Sequence, residues 1–181
     1  MTNIRLESID QYVDVSSHTN FHRYHLKDTL EERMERIYHS SRDSSRTPMQ
    51  WTGGPNAGFS KAKPWFYVNP NYKQINVEDQ EKDPDSILQF YRKCLKLRKE
   101  SKTLLKGKYR EYFPKDDHIY MYERALGDER YLIICSFADE PVRVRVPKAY
   151  AGKKGKLILS NYPRSHGWFR PYEARLYLFK K

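Results

Sequence analysis

Histidines and carboxylates most often carry chemistry, and this sequence offers both in short runs. His18, His22 and His25 recur at spacings that resemble a metal cluster. A tetrahedral site needs four suitable ligands, and no cysteine or second histidine pair completes the set, so no metal is expected. Glu31, Glu32 and Glu35 fall on a helical stretch and read as a solvated surface, while adjacent Asp116 and Asp117 read as a turn. None of them makes a convincing pair of catalytic carboxyls. Cys94 and Cys135 lie in apolar contexts far apart and read as two reduced, buried thiols rather than a disulfide. No cofactor is called for.

The balance of 34 Lys and Arg against 23 Asp and Glu over 181 residues gives +11, a field that attracts nucleic acid, anionic lipid or acidic substrate. That charge is spread along the chain. Lys153, Lys154 and Lys156 form the densest run, and no helix-turn-helix, ribonucleoprotein-type aromatic motif or zinc-finger spacing accompanies it. A solvated surface is the expectation, not nucleic-acid binding. An aromatic fraction of 14% is too high for a disordered tail. Polar Thr2, Asn3 and Arg5 follow Met1 without a signal-peptide pattern, and no apolar run reaches the length of a membrane span, which places the chain by default in the cytoplasm.

The elements that must position any site fall into two styles. Up to Asp83 the sequence reads as mostly loop with one helix, capped by Asp28 or Thr29, boxed by Glu31 or Glu32, and carrying Leu30, Met34, Ile37 and Tyr38 on one face. Residues 47–70 hold several prolines and glycines and still carry Trp51, Phe59, Trp65, Phe66 and Tyr67. A loop so long and aromatic covers a site or packs over a scaffold. A second helix is predicted from Pro84 to about Lys99 with Asp83 as its cap, and Ile87, Tyr91, Cys94, Leu95 and Arg98 at helical spacing.

Beyond Lys102 the period changes to that of short strands, expected at 108–113, 118–125, 130–137, 142–146, 156–159 and 174–180. Val142, Val144 and Val146 alternate with Arg143 and Arg145. Gly127-Asp128, Asp139 to Pro141 and Gly152 to Gly155 supply turns. The pattern reads as an antiparallel β-sandwich with meander or Greek-key connections.

Residues 41–51, Ser-Arg-Asp-Ser-Ser-Arg-Thr-Pro-Met-Gln-Trp, are followed by Ala57-Gly58-Phe59, Pro64-Trp65 and Val68-Asn69-Pro70-Asn71-Tyr72. With Glu7-Ser8-Ile9-Asp10, Tyr12 to Asp14, Ile75-Asn76-Val77 and Leu97-Arg98-Lys99, they closely resemble oligo-1,6-glucosidases and related α-glucosidases of glycoside hydrolase family 13, the α-amylase superfamily. The likeness runs over the whole chain, more loosely after Lys99, where Pro171-Tyr172-Glu173-Ala174 matches best.

This resemblance implies an α+β fragment: the last loop and eighth helix of a (β/α)₈ barrel in residues 1–102, followed by a C-terminal antiparallel β-sandwich domain in 103–181. A barrel needs about 250 residues, so the chain is too short to contain one. Retaining glycosidases use two carboxyl groups about 5–5.5 Å apart. By resemblance both precede Met1, so no catalytic residue is expected in this chain and it is expected to be inactive alone.

Arg42 is the one substrate-binding candidate. In the glucosidase branch its counterpart recognises the terminal glucose and is held by an aspartate from an early barrel loop, which would lie outside this chain. Its guanidinium is a rigid fork of donors suited to hydroxyls and a carboxylate. The other reading is that Arg42 ties down its own loop. Asp43 and Arg46 are expected to brace that loop, and Trp51, Phe59 and Trp65 to pack within it. The implied partners are short α-glucoside oligosaccharides and a separately encoded barrel piece, with the β domain as a carbohydrate- or partner-binding module the alternative.

Overall fold

The computed structural model describes residues 2–23, 26–163 and 167–180, which form two compact units, 1–88 and 89–181. That division falls inside the helix from Ile87, earlier than the boundary at 102/103 expected from the sequence.

The first unit holds more helix than its sequence promised. Helix α1 (Val15–Arg23) was not anticipated, α2 (Leu30–Ser40) was, and α3 (Val77–Lys82) follows. Short 3-10 turns at 9–11, 42–45, 55–58 and 70–73 shape the rest. Helix α2 starts with the capping box: the Glu32 amide donates to Thr29 Oγ1 at 3.2 Å and the Thr29 amide donates to Glu32 Oε2 at 2.8 Å. Ile37 is buried and Met34 partly so, whereas Leu30 at the first turn is exposed.

Expecting this stretch to be mostly loop, with aromatics covering a surface the chain lacks, understated what it buries by itself. Ile4, Leu6, Tyr12, Phe21, Ile37 and Phe66 make one apolar cluster. Phe21 of α1 and Ile37 of α2 meet there, and each side chain of this size contributes about 1.5–3 kcal/mol on burial. Polar side chains replace sheet ladders as ties: Asn69 Nδ2 donates to the carbonyls of Thr2 and Asn3 at 3.2 and 3.1 Å, and Gln50 Nε2 to that of Ile75 at 2.6 Å. Such side-chain contacts follow no local period.

In the second unit α4 (Ile87–Glu100) starts three residues later than predicted, after a turn in which the Asp85 amide donates to Asp83 Oδ1 at 2.9 Å. Helix α5 (Lys102–Lys106) follows, then β1 (Lys108–Tyr112), β2 (Ile119–Leu126), β3 (Glu129–Ser136), β4 (Val142–Arg143), β5 (Lys156–Ser160), β6 (Trp168–Phe169) and β7 (Ala174–Lys180). All pairings are antiparallel, with a sheet ordered β1-β2-β3-β7-β5 and a separate β4-β6 ribbon. Leu126 pairs with Glu129 across the two-residue turn Gly127-Asp128, and Gly127 has the φ of 56° that this tight hairpin requires.

Alternation sorts each strand between two cores. Ile119, Met121, Leu132 and Ile134 face Tyr150, Phe169, Val142 and Val144. Tyr131, Ile133, Leu176 and Leu178 face Leu97 of α4 and Leu104 of α5. The strand expected over 142–146 pairs only at 142–143. Val142 lies opposite Phe169 and Arg143 opposite Trp168, so 144–146 run toward 167–165, which fall partly outside the described residues. Past the other end of β6 the Arg170 amide donates to Glu173 Oε2 at 2.8 Å. Arg175 Nε donates to the buried Glu173 at 2.7 Å. Burial pushes the Glu173 carboxyl up, but the Arg175 side chain and Arg170 amide outweigh it and hold the group below the usual range.

Candidate functional site

Arg42 opens the 3-10 turn 42–45 immediately after α2, and the way that turn is fixed sets where its guanidinium lies. Ser41 ends α2, its amide donating to the Ile37 carbonyl at 2.8 Å, and its hydroxyl accepts the Asp43 amide at 3.2 Å. Asp43 is completely buried. Its Oδ2 accepts the amides of Val13 and Asp14 at 2.7 and 2.9 Å, and its Oδ1 accepts Arg46 Nη1 at 2.8 Å. Asp43 and Arg46 thus brace the turn and fasten it to the start of α1.

Asp14 stands at that start: its carbonyl accepts the Ser17 and His18 amides at 2.9 and 3.3 Å, and its carboxylate lies beside the electropositive end of the helix. The carboxylate is buried at 1% exposure. Its Oδ1 accepts Arg42 Nε at 2.8 Å and Nη2 at 2.5 Å, and Ser17 Oγ lies 3.2 Å from Oδ2. The Arg42 hydrogen bond holds the Asp14 carboxyl below its ordinary value despite burial, and Asp14 in turn raises the guanidinium.

Arg42 Nη2 also donates to Ser16 Oγ at 3.2 Å, while Nη1 has no hydrogen-bond partner among the described residues. The Arg42 side chain is 62% exposed. A charged donor anchored at one edge and open at the other is suited to oxygen-rich, neutral or anionic groups. The resemblance implies an aspartate from outside this chain, whereas the carboxylate that binds Arg42 here is Asp14. Its signal was an acidic residue directly ahead of Val15-Ser16-Ser17, an N-cap pattern legible only once α1 is recognised.

The aromatic loop reaches the same neighbourhood. Asn56, Ala57 and Gly58 are all left-handed, at φ 51°, 57° and 67°. The Ala57 carbonyl accepts the amides of Trp51 and Thr52 at 2.9 and 3.0 Å, which offsets that strain. Val13, next to Asp14, lines a cleft of about 440 Å³ with Asp10, Gln11, Asn56, Lys63, Trp65 and Tyr67. Phe66 packs inward, but Trp51, Phe59 and Trp65, the aromatics expected to pack within the loop, are 49%, 47% and 71% exposed and do not.

The remaining candidates do not converge. Glu32 is spent on its capping box, and Glu35 on Arg5 and His39. Asp116 Oδ1 accepts the amides of His118 and Ile119 in a turn. His18 Nε2 lies 2.7 Å from the Tyr12 carbonyl, His22 packs edge-on against Phe21, and His25 lies outside the described residues. Among the described residues no three His, Cys, Asp or Glu side chains are grouped to hold a metal. Nor is any helix among them long and apolar enough to cross a membrane.

A family model for the α-amylase catalytic domain matches residues 11–107, the stretch that carries Asp14, Arg42 and Asp43. The chain belongs to the α-amylase family. Among relatives in this α-amylase family, the oligo-1,6-glucosidase of Parageobacillus thermoglucosidasius is 38% identical over 186 residues, covering 98% of this chain and 33% of that protein. An α-glucosidase of Candida albicans is 36% identical over 191 residues, again with 98% of this chain and 33% of that protein. The trehalose-6-phosphate hydrolase of Bacillus licheniformis superposes with a TM-score of 0.87 at 35% identity, over 100% of this chain and 34% of that one. The chain therefore spans about a third of the length of the α-amylase-family proteins it matches.

Proposed function

We propose that this chain is the C-terminal portion of an α-glucosidase that hydrolyses terminal α-glucosidic bonds of short oligosaccharides in the cytoplasm, with Arg42 contacting the terminal glucose. The observation that carries the reading is the Arg42–Asp14 arrangement within the family-matched stretch: a guanidinium oriented by a buried carboxylate yet 62% exposed. Residues up to 83 would be the loop after the eighth barrel strand, 84–99 the eighth helix and 103–181 the β-sandwich domain. The catalytic carboxyls belong to the barrel portion of such an enzyme, so this chain alone is inactive. It requires no metal or cofactor and engages neither nucleic acid nor membrane.

Apolar surface on α4 supports a missing partner. Ile87, Tyr91 and Leu95, at helical i, i+4, i+8 spacing, are 82%, 62% and 51% exposed, a ridge with the character of a packing face. The separately supplied barrel is the occupant this reading assigns to it. The test is to express the chain with, or fused to, the preceding portion of an oligo-1,6-glucosidase and to assay glucose release from isomaltose. Activity should appear only in the combination and fall steeply with Arg42→Ala. Unchanged kinetics in that variant would reduce Arg42 to a loop brace.

A further inference from the structure

Tyr109 of β1 and Tyr120 and Tyr122 of β2 share the face of the sheet opposite buried Met121. The Tyr109 and Tyr122 rings lie 5.5 Å apart at 33° to one another, and those of Tyr120 and Tyr122 5.2 Å apart at 39°. Tyr109 Oη is 3.1 Å from Glu111 Oε2 and 3.0 Å from Tyr120 Oη. A phenol has one proton, so Tyr109 gives its own to Glu111 and accepts that of Tyr120. Unlike Tyr131 and Tyr150, which are spent in the cores, Tyr109 and Tyr120 are 48% and 40% exposed with Glu111 exposed beside them, while Tyr122 is half-buried against the cluster of Leu104, Tyr131 and Ile133 and backs the two exposed rings. The row lies along β1, an edge of the sheet.

We propose that the Tyr109–Tyr122–Tyr120 row with Glu111 is a binding surface for a short linear gluco-oligosaccharide, distinct from the Arg42 site. A pyranose presents an apolar C–H face and a rim of hydroxyls. The tilted rings offer negative π faces to the C–H groups, and the phenol oxygens and Glu111 carboxylate accept from hydroxyls at the rim. Other ligands fit less well. An apolar peptide would desolvate Glu111 and the phenols without replacing their hydrogen bonds. A quaternary ammonium is held by rings facing one another as a cage, not laid side by side. A nucleic acid would meet the Glu111 carboxylate with its phosphates.

The test is to titrate the full chain with maltotriose, reading calorimetry and the ring resonances of the tyrosines. Saturable binding is expected, with resonances of Tyr109, Tyr120 and Tyr122 shifting together. Tyr120→Ala should weaken it at least ~10-fold, a loss of about 1.4 kcal/mol. Tyr120→Phe keeps the ring and Glu111→Gln keeps the shape, so neither should disturb the fold, and each should weaken binding by a few-fold. Arg42→Ala should leave this binding unchanged, which separates its failure from that of the glucosidase reading. No saturable shift with maltotriose, or binding indifferent to Tyr120→Phe, Tyr120→Ala and Glu111→Gln together, would overturn the proposal. Binding abolished by Arg42→Ala alone would also overturn it.

Discussion

The Arg42 guanidinium closes on Asp14 through a single oxygen, Nε at 2.8 Å and Nη2 at 2.5 Å from Oδ1, while the Arg42 amide donates to Oδ2 at 3.5 Å and the Asp14 amide is itself held by Asp43 at 2.9 Å. Two carboxylates therefore do different work on neighbouring backbone: Asp43 fixes the turn, and Asp14 aims the guanidinium.

Asp14→Asn should loosen the first unit as well as the aim of Arg42. An amide in place of the carboxylate weakens charge-assisted hydrogen bonds worth roughly 1.5–3 kcal/mol each. Urea unfolding of the isolated chain should show a midpoint lowered by a loss of that order, and the complemented enzyme should lose glucosidase activity. A wild-type midpoint together with wild-type kinetics would remove Asp14 from the site.

Acid should act through the same residue. The Asp14 pKa in the folded chain lies below the unfolded value of about 3.9, so its contribution is fully present above that value and is lost as pH falls through the folded one. Thermal melts of the wild type and Asp14→Asn should differ at neutral pH and converge below about pH 4. A gap between the two melting curves that stays constant into acid would contradict this.

In the second unit, buried Glu123 accepts hydrogen bonds from the Tyr150 and Tyr112 hydroxyls, the latter at 3.3 Å. Burial, and then the bond to Glu123, pushes the Tyr150 phenol up strongly. Its contribution is complete below the unfolded value of about 10 and declines as pH rises beyond it. Tyr150→Phe should cost about 1–3 kcal/mol at neutral pH by leaving Glu123 short of a donor. Chemical denaturation of that variant checks the magnitude, and a loss too small to detect would mean that water replaces the phenol.

The apolar ridge of α4 predicts behaviour that differs between the isolated chain and the complemented enzyme. Ile87→Glu with Leu95→Glu should reduce self-association of the chain alone, measured by sedimentation, because exposed apolar area is what drives it. The same pair should prevent recovery of activity with the barrel portion. Full complementation by the doubly substituted chain would show that this face does not meet the barrel.

Hydrogen exchange bears on the first unit directly. The amides of Val13 and Asp14 on Asp43, and of Ser41 on Ile37, should be among its slow ones, since they sit beside the cluster of Ile4, Tyr12 and Ile37. Exchange of all three at free-peptide rates would mean that this cluster does not hold the unit together.

By itself the sequence determined what rests on local rules and on motif. The Thr29–Glu32 box marked the start of α2, Gly127-Asp128 marked a hairpin, alternation marked the strands, and the run from Ser41 to Trp51 pointed to the α-amylase family and to Arg42. Only the tertiary structure decided what Arg42 holds, because Asp14 lies 28 residues away and pairing across that interval has no period to read. Helix α1 escaped for a related reason: its polar run buries Ser17 and Phe21, and the burial of Phe21 is set by Ile37 across the chain. The tyrosine row likewise exists only through the register that sets Glu111 opposite Tyr122, since no single strand carries all three rings.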